Sequence, residues 1–283
     1  MKQYPEIPRA EEAPDLFEGG HLWLQEKIDG AHLRFQLRES GLLRFGDRTR
    51  VFGEEVPGPY RHAARHVREN LDRAALREAV SEPEGFVFFG EATHAHRIEY
   101  DWDRMPSFLG FDVWSARKEA FLPPDAVEKI HRRLGLHPVD TFEKEVRATD
   151  FDPGSYEIPT SEWYDGPAAG VVVRNKTGGR AQIPNPAVPD ADGADPVDTA
   201  ETDPIDADPD ALAEEYATDE RFEAVASALR ESDRPVTFDA VYDRVVERIF
   251  REEHARLFED RADLDVRAFK SAVAARTQEY LGG

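Results

Sequence analysis

Residues 184–210 divide the chain, because a segment of this composition cannot pack a core. The segment is rich in Pro, Asp and Ala, has no apolar periodicity and contains no basic residue. Such a stretch buries too little apolar surface to offset the entropy that is lost on folding. The sequence of 283 residues therefore predicts two domains, at residues 1–184 and 209–283, joined by an acidic linker at residues 185–208.

The first domain combines strand and helix patterns. Apolar runs or alternation predict strands at residues 22–28, 31–37, 42–45, 85–91, 108–114, 170–173 and 180–183. We expect the first three strands to form an antiparallel meander, with turns at Asp29-Gly30 and Ser40-Gly41. Apolar residues at helical spacing predict one amphipathic helix at residues 60–80 and another at residues 124–134. This mixture predicts an α+β fold.

The second domain shows helical periodicity. Thr237 is a residue type that is favoured at helix N-caps, and apolar residues follow it on one helix face. The two apolar faces comprise Val241, Val245 and Ile249, and Val266, Phe269, Val273 and Tyr280. Three or four helices are expected, packed as a small all-α bundle.

Residues 25–30, Gln-Glu-Lys-Ile-Asp-Gly, place a lysine and an aspartate beside a glycine turn. Both side chains are expected on one side, between two predicted strands. An amine attacks phosphorus only when it is unprotonated, and burial or nearby cations favour that form. Only seven of the 36 basic residues are lysine, so Lys27 is a candidate nucleophile. The alternative is a surface lysine in a hairpin.

Residues 27–30, Lys-Ile-Asp-Gly, resemble the nucleotidyl-acceptor motif KxDG of the covalent nucleotidyltransferases. This superfamily includes ATP-dependent DNA ligases, RNA ligases and mRNA-capping guanylyltransferases. Five further segments resemble the later motifs of the family in the same order: Asp-Arg-Thr at 47–49, Phe-Phe-Gly-Glu at 88–91, Leu-Gly-Phe-Asp-Val at 109–113, Gly-Val-Val-Val-Arg at 170–174 and Arg-Ala-Gln-Ile at 180–183. The pattern is most similar to the RNA ligase 2 branch.

The resemblance implies a role for each matching residue. Lys27 would accept AMP from ATP, Glu91 would bind the ribose, and Phe111 would stack on the base. Further contacts with the nucleotide are implied for six residues in or beside the motifs: Glu26, His32, Arg48, Arg174, Arg180 and Gln182. The resemblance also implies ATP with Mg²⁺ or Mn²⁺, since a hard cation accompanies phosphates, but it leaves the metal ligands open.

The resemblance further implies an architecture and a reaction. The architecture is a nucleotidyltransferase core of the ATP-grasp-like ligase kind, with antiparallel sheets and helices, followed by a helical C-terminal domain. AMP would pass from the lysine to a 5'-phosphate end of RNA, free or at a nick, and a 3'-hydroxyl would displace it. Three alternatives stay open: a DNA ligase, a capping-type enzyme that uses GTP, and a non-catalytic relative that binds nucleic-acid ends.

Two positions depart from the family pattern. Ala169 precedes Gly170 where the family usually has a glutamate that serves metal and catalysis. Gln182 stands where the family usually has a lysine on the α-phosphate, and a neutral amide does not replace a cation there. Asp165 or Glu162 could supply the missing carboxylate, and Lys176 could supply the missing cation.

The formal charge of −22 is unusual for a protein that binds nucleic acid, because such proteins usually present a basic surface. An acidic chain with few lysines and many arginines is similar to proteins of salt-accumulating archaea. In molar salt the Debye length is about 3 Å, so repulsion between surface charges is screened. An acidic mesophilic protein is the alternative interpretation.

The sequence contains no cysteine, which excludes disulfides and thiolate metal sites. It has no apolar signal core at residues 1–5 and no run of the roughly 20 apolar residues that cross a bilayer. We therefore expect a soluble, cytoplasmic protein without a membrane partner, acting as a monomer.

We expect the melting temperature to rise with the concentration of potassium chloride. The 58 acidic residues outnumber the 36 basic ones, and their unscreened repulsion destabilises the compact state. Thermal melts followed by circular dichroism, from low to molar salt, measure the effect. A melting temperature that falls or stays constant contradicts the halophilic interpretation.

Overall fold

The computed structural model describes residues 1–188, 208–259 and 264–282. The chain separates into two compact units, at residues 1–193 and 194–283. Residues 189–207, most of the predicted linker, lie outside the described ranges.

The described part of the first unit contains strands and helices in alternation. The strands are β1 (His21–Glu26), β2 (Ala31–Leu37), β3 (Leu43–Gly46), β4 (Phe86–Ala92), β5 (Phe108–Ser115), β6 (Ala120–Phe121), β7 (His137–Pro138), β8 (Thr141–Arg147), β9 (Gly170–Asn175) and β10 (Arg180–Pro184). The helices are α1 (Arg61–Asn70), α2 (Arg73–Ala79) and α3 (Pro124–Arg133). Strands β6, β7 and β8 were not predicted from the sequence.

The strands form two sheets. One has the order β10-β9-β1-β8, and the other has the order β3-β2-β4-β5-β6, with β7 parallel to β5. The predicted meander is wrong for β1, which pairs with β8 and β9, whereas β2 and β3 form the expected antiparallel pair. Alternation of side chains sets the period of a strand but not its partner. As a result, residues 27–30 pass from one sheet to the other.

A large core covers one face of the six-stranded sheet. Side chains of β2, β4 and β5 pack there against α1, α2 and α3. A second core, built around Leu22 and Leu24 of β1, lies on one face of the four-stranded sheet. The opposite face of the six-stranded sheet carries a smaller apolar cluster around Tyr4, Val87 and Phe89, next to the polar residues described below.

The predicted helix at residues 60–80 is wrong, because the structure contains two helices there. Leu71 is extended, with φ −65° and ψ 116°, and its buried side chain joins the core. Asp72 then starts α2, since its carboxylate accepts a hydrogen bond from the backbone N–H of Ala75 at 2.8 Å. An aspartate competes for backbone donors in this way, and apolar periodicity does not reveal the break.

The described part of the second unit is helical. Its helices are α4 (Pro209–Tyr216), α5 (Asp219–Glu231), α6 (Phe238–Glu252) and α7 (Val266–Gly282), with a π-helical turn at Ala255–Glu259. Thr237 caps α6 as predicted, because its side chain accepts from the N–H of Ala240. The predicted apolar faces contribute to one core. The structure confirms the α+β class with antiparallel sheets and C-terminal helices.

A helix that crosses a bilayer must be long and apolar. Among the described residues, no helix combines the necessary length and hydropathy.

Replacing Asp72 with alanine should lower the free energy of unfolding by about 1 kcal/mol, because α2 loses its cap. Asp72→Asn keeps a side-chain oxygen acceptor and should cost less. Urea unfolding of both variants in one buffer, followed by circular dichroism, measures the difference. Equal losses for alanine and asparagine would contradict this role of the cap.

Candidate active site

A cleft of about 790 Å³ opens between the two sheets. Among the predicted site residues, eight line it: Glu26, Lys27, His32, Arg48, Glu91, Phe111, Arg174 and Gln182. The four-stranded sheet contributes residues of β1, β9 and β10, and the six-stranded sheet contributes residues of β2, β4 and β5.

The turn that carries Lys27 is fixed by backbone contacts. The N–H of Lys27 donates to the carbonyl oxygen of Gly170 at 3.0 Å, which extends the β1–β9 pairing. The carboxylate of Asp29 accepts from the N–H groups of Arg97 and Ile98 at 2.7 and 2.9 Å. Asp29 therefore holds the turn to the loop after β4, while Lys27 borders the cleft.

Gly30 is required by close packing at the end of this turn. A Cβ atom at this position would lie 2.7 Å from the carbonyl oxygen of Ala92. Such an approach is closer than carbon and oxygen tolerate, so β2 could not pair with β4 in the observed register. The glycine of the motif thus lets the chain pass directly from the turn into the second sheet.

Glu26 is a buried carboxyl group beside Lys27. It is 2% exposed, and it accepts from the hydroxyl of Ser161 at 2.6 Å and from the N–H of Glu162 at 3.3 Å. Burial raises the pKa of Glu26 to about 7, although both hydrogen bonds act in the opposite direction. The negative charge of Asp140 raises the pKa further. The group therefore titrates near neutrality.

Phe111 reaches the cleft through a β-bulge. Phe89 of β4 pairs with Asp112 and Gly90 pairs with Gly110, so Phe111 has no opposite residue. Bulges commonly redirect a side chain near an active site. Phe111 borders the cleft, and the ring centroids of Tyr4 and His32 lie 5.0 and 5.5 Å from that of Phe111.

Asp112 is fully buried and contacts polar groups of three side chains. Its carboxylate lies 2.9 Å from Nη2 of Arg174 and 3.2 Å from Nη1 of Arg180, and it accepts from the hydroxyl of Tyr4 at 2.9 Å. Arg174 also donates to the carbonyl oxygen of Phe111 at 2.6 Å. These contacts connect β5 with β9 and β10, which belong to different sheets.

Arg180 is the predicted site residue that does not line the cleft. Its guanidinium lies 4.3 Å from the ring centre of Phe121 and 4.9 Å from that of Tyr4. The local sequence of β10 did not reveal that Arg180 is buried away from the cleft. Its burial depends on Asp112 and on two aromatic rings from distant segments.

Arg48 and Glu91 approach the cleft from the six-stranded sheet. Arg48 follows Asp47, whose carboxylate accepts from the N–H groups of Thr49 and Arg50 at 2.9 and 2.6 Å. Burial opposes ionisation of Asp47, but these bonds and the charge of Arg50 outweigh it and lower its pKa. Glu91 lies on β4, where it pairs with His32 of β2.

The two departures from the family pattern have different surroundings. Ala169 is buried in a small apolar cluster with Ile28 and Trp163. Gln182 borders the cleft, and its side-chain N–H donates to the carbonyl oxygen of Ile7 at 3.0 Å.

The suggested substitutes for the missing carboxylate and cation are not among the lining residues. Glu162 forms an ion pair with Arg104, and Lys176 forms one with Glu145. Asp165 is also not a lining residue. The suggestion that these side chains fill the missing roles therefore finds no support in the cleft.

A metal ion in this cleft would need oxygen ligands. Within the described ranges, no group of three or more His, Asp or Glu side chains is arranged to hold a metal ion. Glu26 and Glu91 border the cleft and offer hard oxygen donors of the kind that Mg²⁺ and Mn²⁺ accept. Mg²⁺ usually keeps several waters and shares substrate phosphates, so a set with few protein ligands fits such an ion.

Tyr4 and Ile7 line the cleft but were not predicted as site residues. They precede every matched motif, and neither lies in a strand. Only the folded chain brings them to Phe111 and Gln182. A local sequence signal for this contact does not exist.

A protein-family model described as RNA ligase matches residues 20–183. The match includes β1 to β9 and most of β10. No curated protein sequence matches the chain.

Several solved structures are similar in fold. The Naegleria gruberi RNA ligase with pyrophosphate has a TM-score of 0.52 at 14% identity, covering 66% of this chain and 56% of its own. A mutant of that ligase with ATP and Mn has a TM-score of 0.53 at 13% identity, covering 66% and 57%. An archaeal ATP-dependent RNA ligase has a TM-score of 0.48 at 17% identity, covering 100% and 66%.

The chain thus spans little more than half the length of the Naegleria ligase, and these structural likenesses concern the fold. The family model covers more than half of the sequence. The protein therefore belongs to the RNA ligase family.

Proposed function

We propose that the protein is an ATP-dependent RNA ligase that joins 5'-phosphate and 3'-hydroxyl ends through lysyl-AMP. One observation carries the proposal: eight of the nine predicted site residues, from six strands and two connecting segments of the family-matched region, line a single cleft. The solved Naegleria ligase structures that share the fold contain ATP and Mn or pyrophosphate.

In the first step, Nζ of Lys27 attacks the α-phosphorus of ATP. A nitrogen–phosphorus bond forms, the bond from this phosphorus to the bridging oxygen breaks, pyrophosphate leaves, and the amine loses a proton. Positioning and neutralisation of charge supply most of the catalysis in such a transfer. Arg48 and Arg174 border the cleft and provide positive charge that binds the phosphates of ATP equally before and during the transfer, so their effect is on KM. Bound Mg²⁺ or Mn²⁺ would neutralise the charge that develops on phosphate oxygens.

The remaining lining residues bind the nucleotide. The ring of Phe111 stacks on the base, and His32 supports that ring from β2. Glu91, which pairs with His32 across the sheet, accepts hydrogen bonds from the ribose hydroxyls. The adenylylated lysine then passes AMP to the 5'-phosphate of RNA, and a 3'-hydroxyl displaces AMP to form the new phosphodiester.

The proposal assigns the adenylylation to residues 1–184 and engagement of RNA ends to the helical region at 209–283, with residues 185–208 as the linker. The acidic composition further supports a monomer that works in the salt-rich cytoplasm of a haloarchaeon. High salt screens repulsion between the acidic surface and RNA.

Lys27→Arg should abolish labelling by α-labelled ATP and Mg²⁺, because arginine keeps the charge but is not a nucleophile. Peptide mapping of the wild-type protein should locate AMP on Lys27. Lys176→Arg is the matched control, since this exposed lysine is paired with Glu145 and should label normally. Label retained by Lys27→Arg would contradict the assignment.

The labelled wild-type protein also tests the alternatives. Joining of 5'-phosphorylated RNA in preference to DNA supports the RNA ligase, and preference for GTP over ATP would instead support a capping-type enzyme. Labelling without any joining would favour a relative that binds nucleic-acid ends.

Glu26 should make stability depend on pH. Its pKa is raised from an ordinary value of 4.5 to about 7 in the folded protein, so the protonated form is favoured by folding. The resulting stabilisation is complete below pH 4.5 and is lost as the pH rises through about 7. At 1.36 kcal/mol per pKa unit, the loss approaches about 3 kcal/mol.

Glu26→Gln should therefore flatten the decline of melting temperature between pH 5 and pH 8, because glutamine mimics the protonated acid. Glu84→Gln, at an exposed residue paired with Arg38, is the control and should keep the wild-type profile. Parallel profiles for the wild-type protein and Glu26→Gln would show that Glu26 does not titrate in this range.

A further inference from the structure

We propose that residues 2–9, which we call the strap, are a working part of the nucleotide site. In this proposal the strap positions the base-stacking ring and the Arg48 segment, and Tyr4 and Gln182 are its positioning residues. The inference rests on the proposed function, because it concerns how that site binds ATP.

The strap is bound to the backbone on one side of Arg48. The side chain of Gln3 donates to the carbonyl oxygen of Thr49 at 3.0 Å. Arg34, which is 1% exposed, donates to the carbonyl oxygens of Lys2 at 2.6 Å and Arg50 at 3.5 Å. The two residues that follow Arg48 are thus held by the strap or by the arginine that anchors it.

Tyr4 connects the strap with two residues at the β5 bulge, Phe111 and Asp112. Its ring lies 5.0 Å from that of Phe111 and 5.6 Å from that of His32. Its hydroxyl donates to Asp112, the carboxylate that also binds Arg174. The buried side chain of Tyr4 therefore supports the ring of Phe111. It also donates a hydrogen bond to Asp112, the carboxylate that holds Arg174 at the cleft.

Gln182 fastens the strap to the other sheet. Its side chain donates to the carbonyl oxygen of Ile7, and its backbone N–H donates to that of Pro8 at 2.9 Å. The side-chain amide of Gln182 thus binds the strap, whereas the family pattern implies a cation at this position that binds the phosphate. This contact revises the expected role of Gln182 from a nucleotide ligand to a residue that acts through the strap.

The two ends of the cleft consequently have separate supports. The turn at Lys27 is held by Gly170 and by the loop that binds Asp29, and the strap makes none of those contacts. Loosening the strap should therefore weaken ATP binding while leaving the chemical step at Lys27 nearly unchanged. Substituting a residue that has only a general structural role would lower stability without separating ATP binding from the chemical step.

The experiment compares Tyr4→Phe and Gln182→Met with two matched controls. Tyr156→Phe removes a hydroxyl–carboxylate bond of 3.0 Å to Glu143, and Gln36→Met removes an amide–carbonyl bond to Glu84; neither residue lines the cleft. Lysyl-AMP formation is measured against ATP concentration to obtain KM and kcat. Melting temperatures and hydrogen exchange of residues 2–9, with and without ATP, are recorded for all variants.

We expect Tyr4→Phe and Gln182→Met to raise the KM for ATP roughly tenfold, the effect of one lost hydrogen bond of about 1.4 kcal/mol. Their kcat should remain close to wild type, and exchange in the strap should be faster than in the controls. In the wild-type protein, ATP should slow exchange in the strap.

A KM equal to that of the controls would overturn the proposal, as would a fall in kcat alone or a lower melting temperature with KM unchanged. Wild-type protein that takes no label from ATP would instead contradict the proposed function. In that case calorimetric ATP affinities of the same four variants decide on the strap: weaker binding by Tyr4→Phe and Gln182→Met supports it, and equal binding overturns it.

Discussion

The buried carboxylate of Asp112 is the interaction on which the geometry of the cleft depends. It holds Arg174, Arg180 and Tyr4, which come from β9, β10 and the strap. Burying such charges costs several kcal/mol of desolvation, and removing one partner leaves the others uncompensated. Asp112 therefore fixes the distance between two sheets that share no strand, and the two arginines leave one net positive charge beside the cleft.

The nucleophile and the base-binding ring are positioned by different means. Lys27 lies on a turn that is fixed by backbone hydrogen bonds and by the close contact of Gly30 with Ala92. Phe111 lies on a bulge that is supported by rings and by the ligands of Asp112. Backbone pairing tolerates changes of side chain better than a buried polar cluster does, so variation near Phe111 should affect nucleotide binding more than variation around the turn.

Local sequence sufficed where short segments carry the signal. The alternation of the strands and the cap at Thr237 were predicted because each depends on neighbouring residues. The motif at Lys27 is equally local, and its lysine lines the cleft. The partner of β1 and the burial of Arg180 were not predicted, since both are decided by residues in distant parts of the sequence. The orientation of Gln182 was missed for the same reason: its acceptor, Ile7, lies outside every motif.

The acidic composition and the proposed reaction are compatible because the cations are placed locally. Among the described residues that line the cleft, the three basic ones (Lys27, Arg48 and Arg174) equal the acidic ones (Glu26, Asp29 and Glu91) in number, although the whole chain carries a formal charge of −22. A charge that is held within a few ångströms of a phosphate acts at short range, whereas charges on the distant surface are screened within about 10 Å at 0.1 M salt and about 3 Å at 1 M. Raising the salt concentration therefore weakens the repulsion of RNA by the surface more than it weakens contacts inside a partly enclosed cleft. For such a protein, the net charge is a poor guide to nucleic-acid chemistry, and the positions of individual cations within the site are what matters.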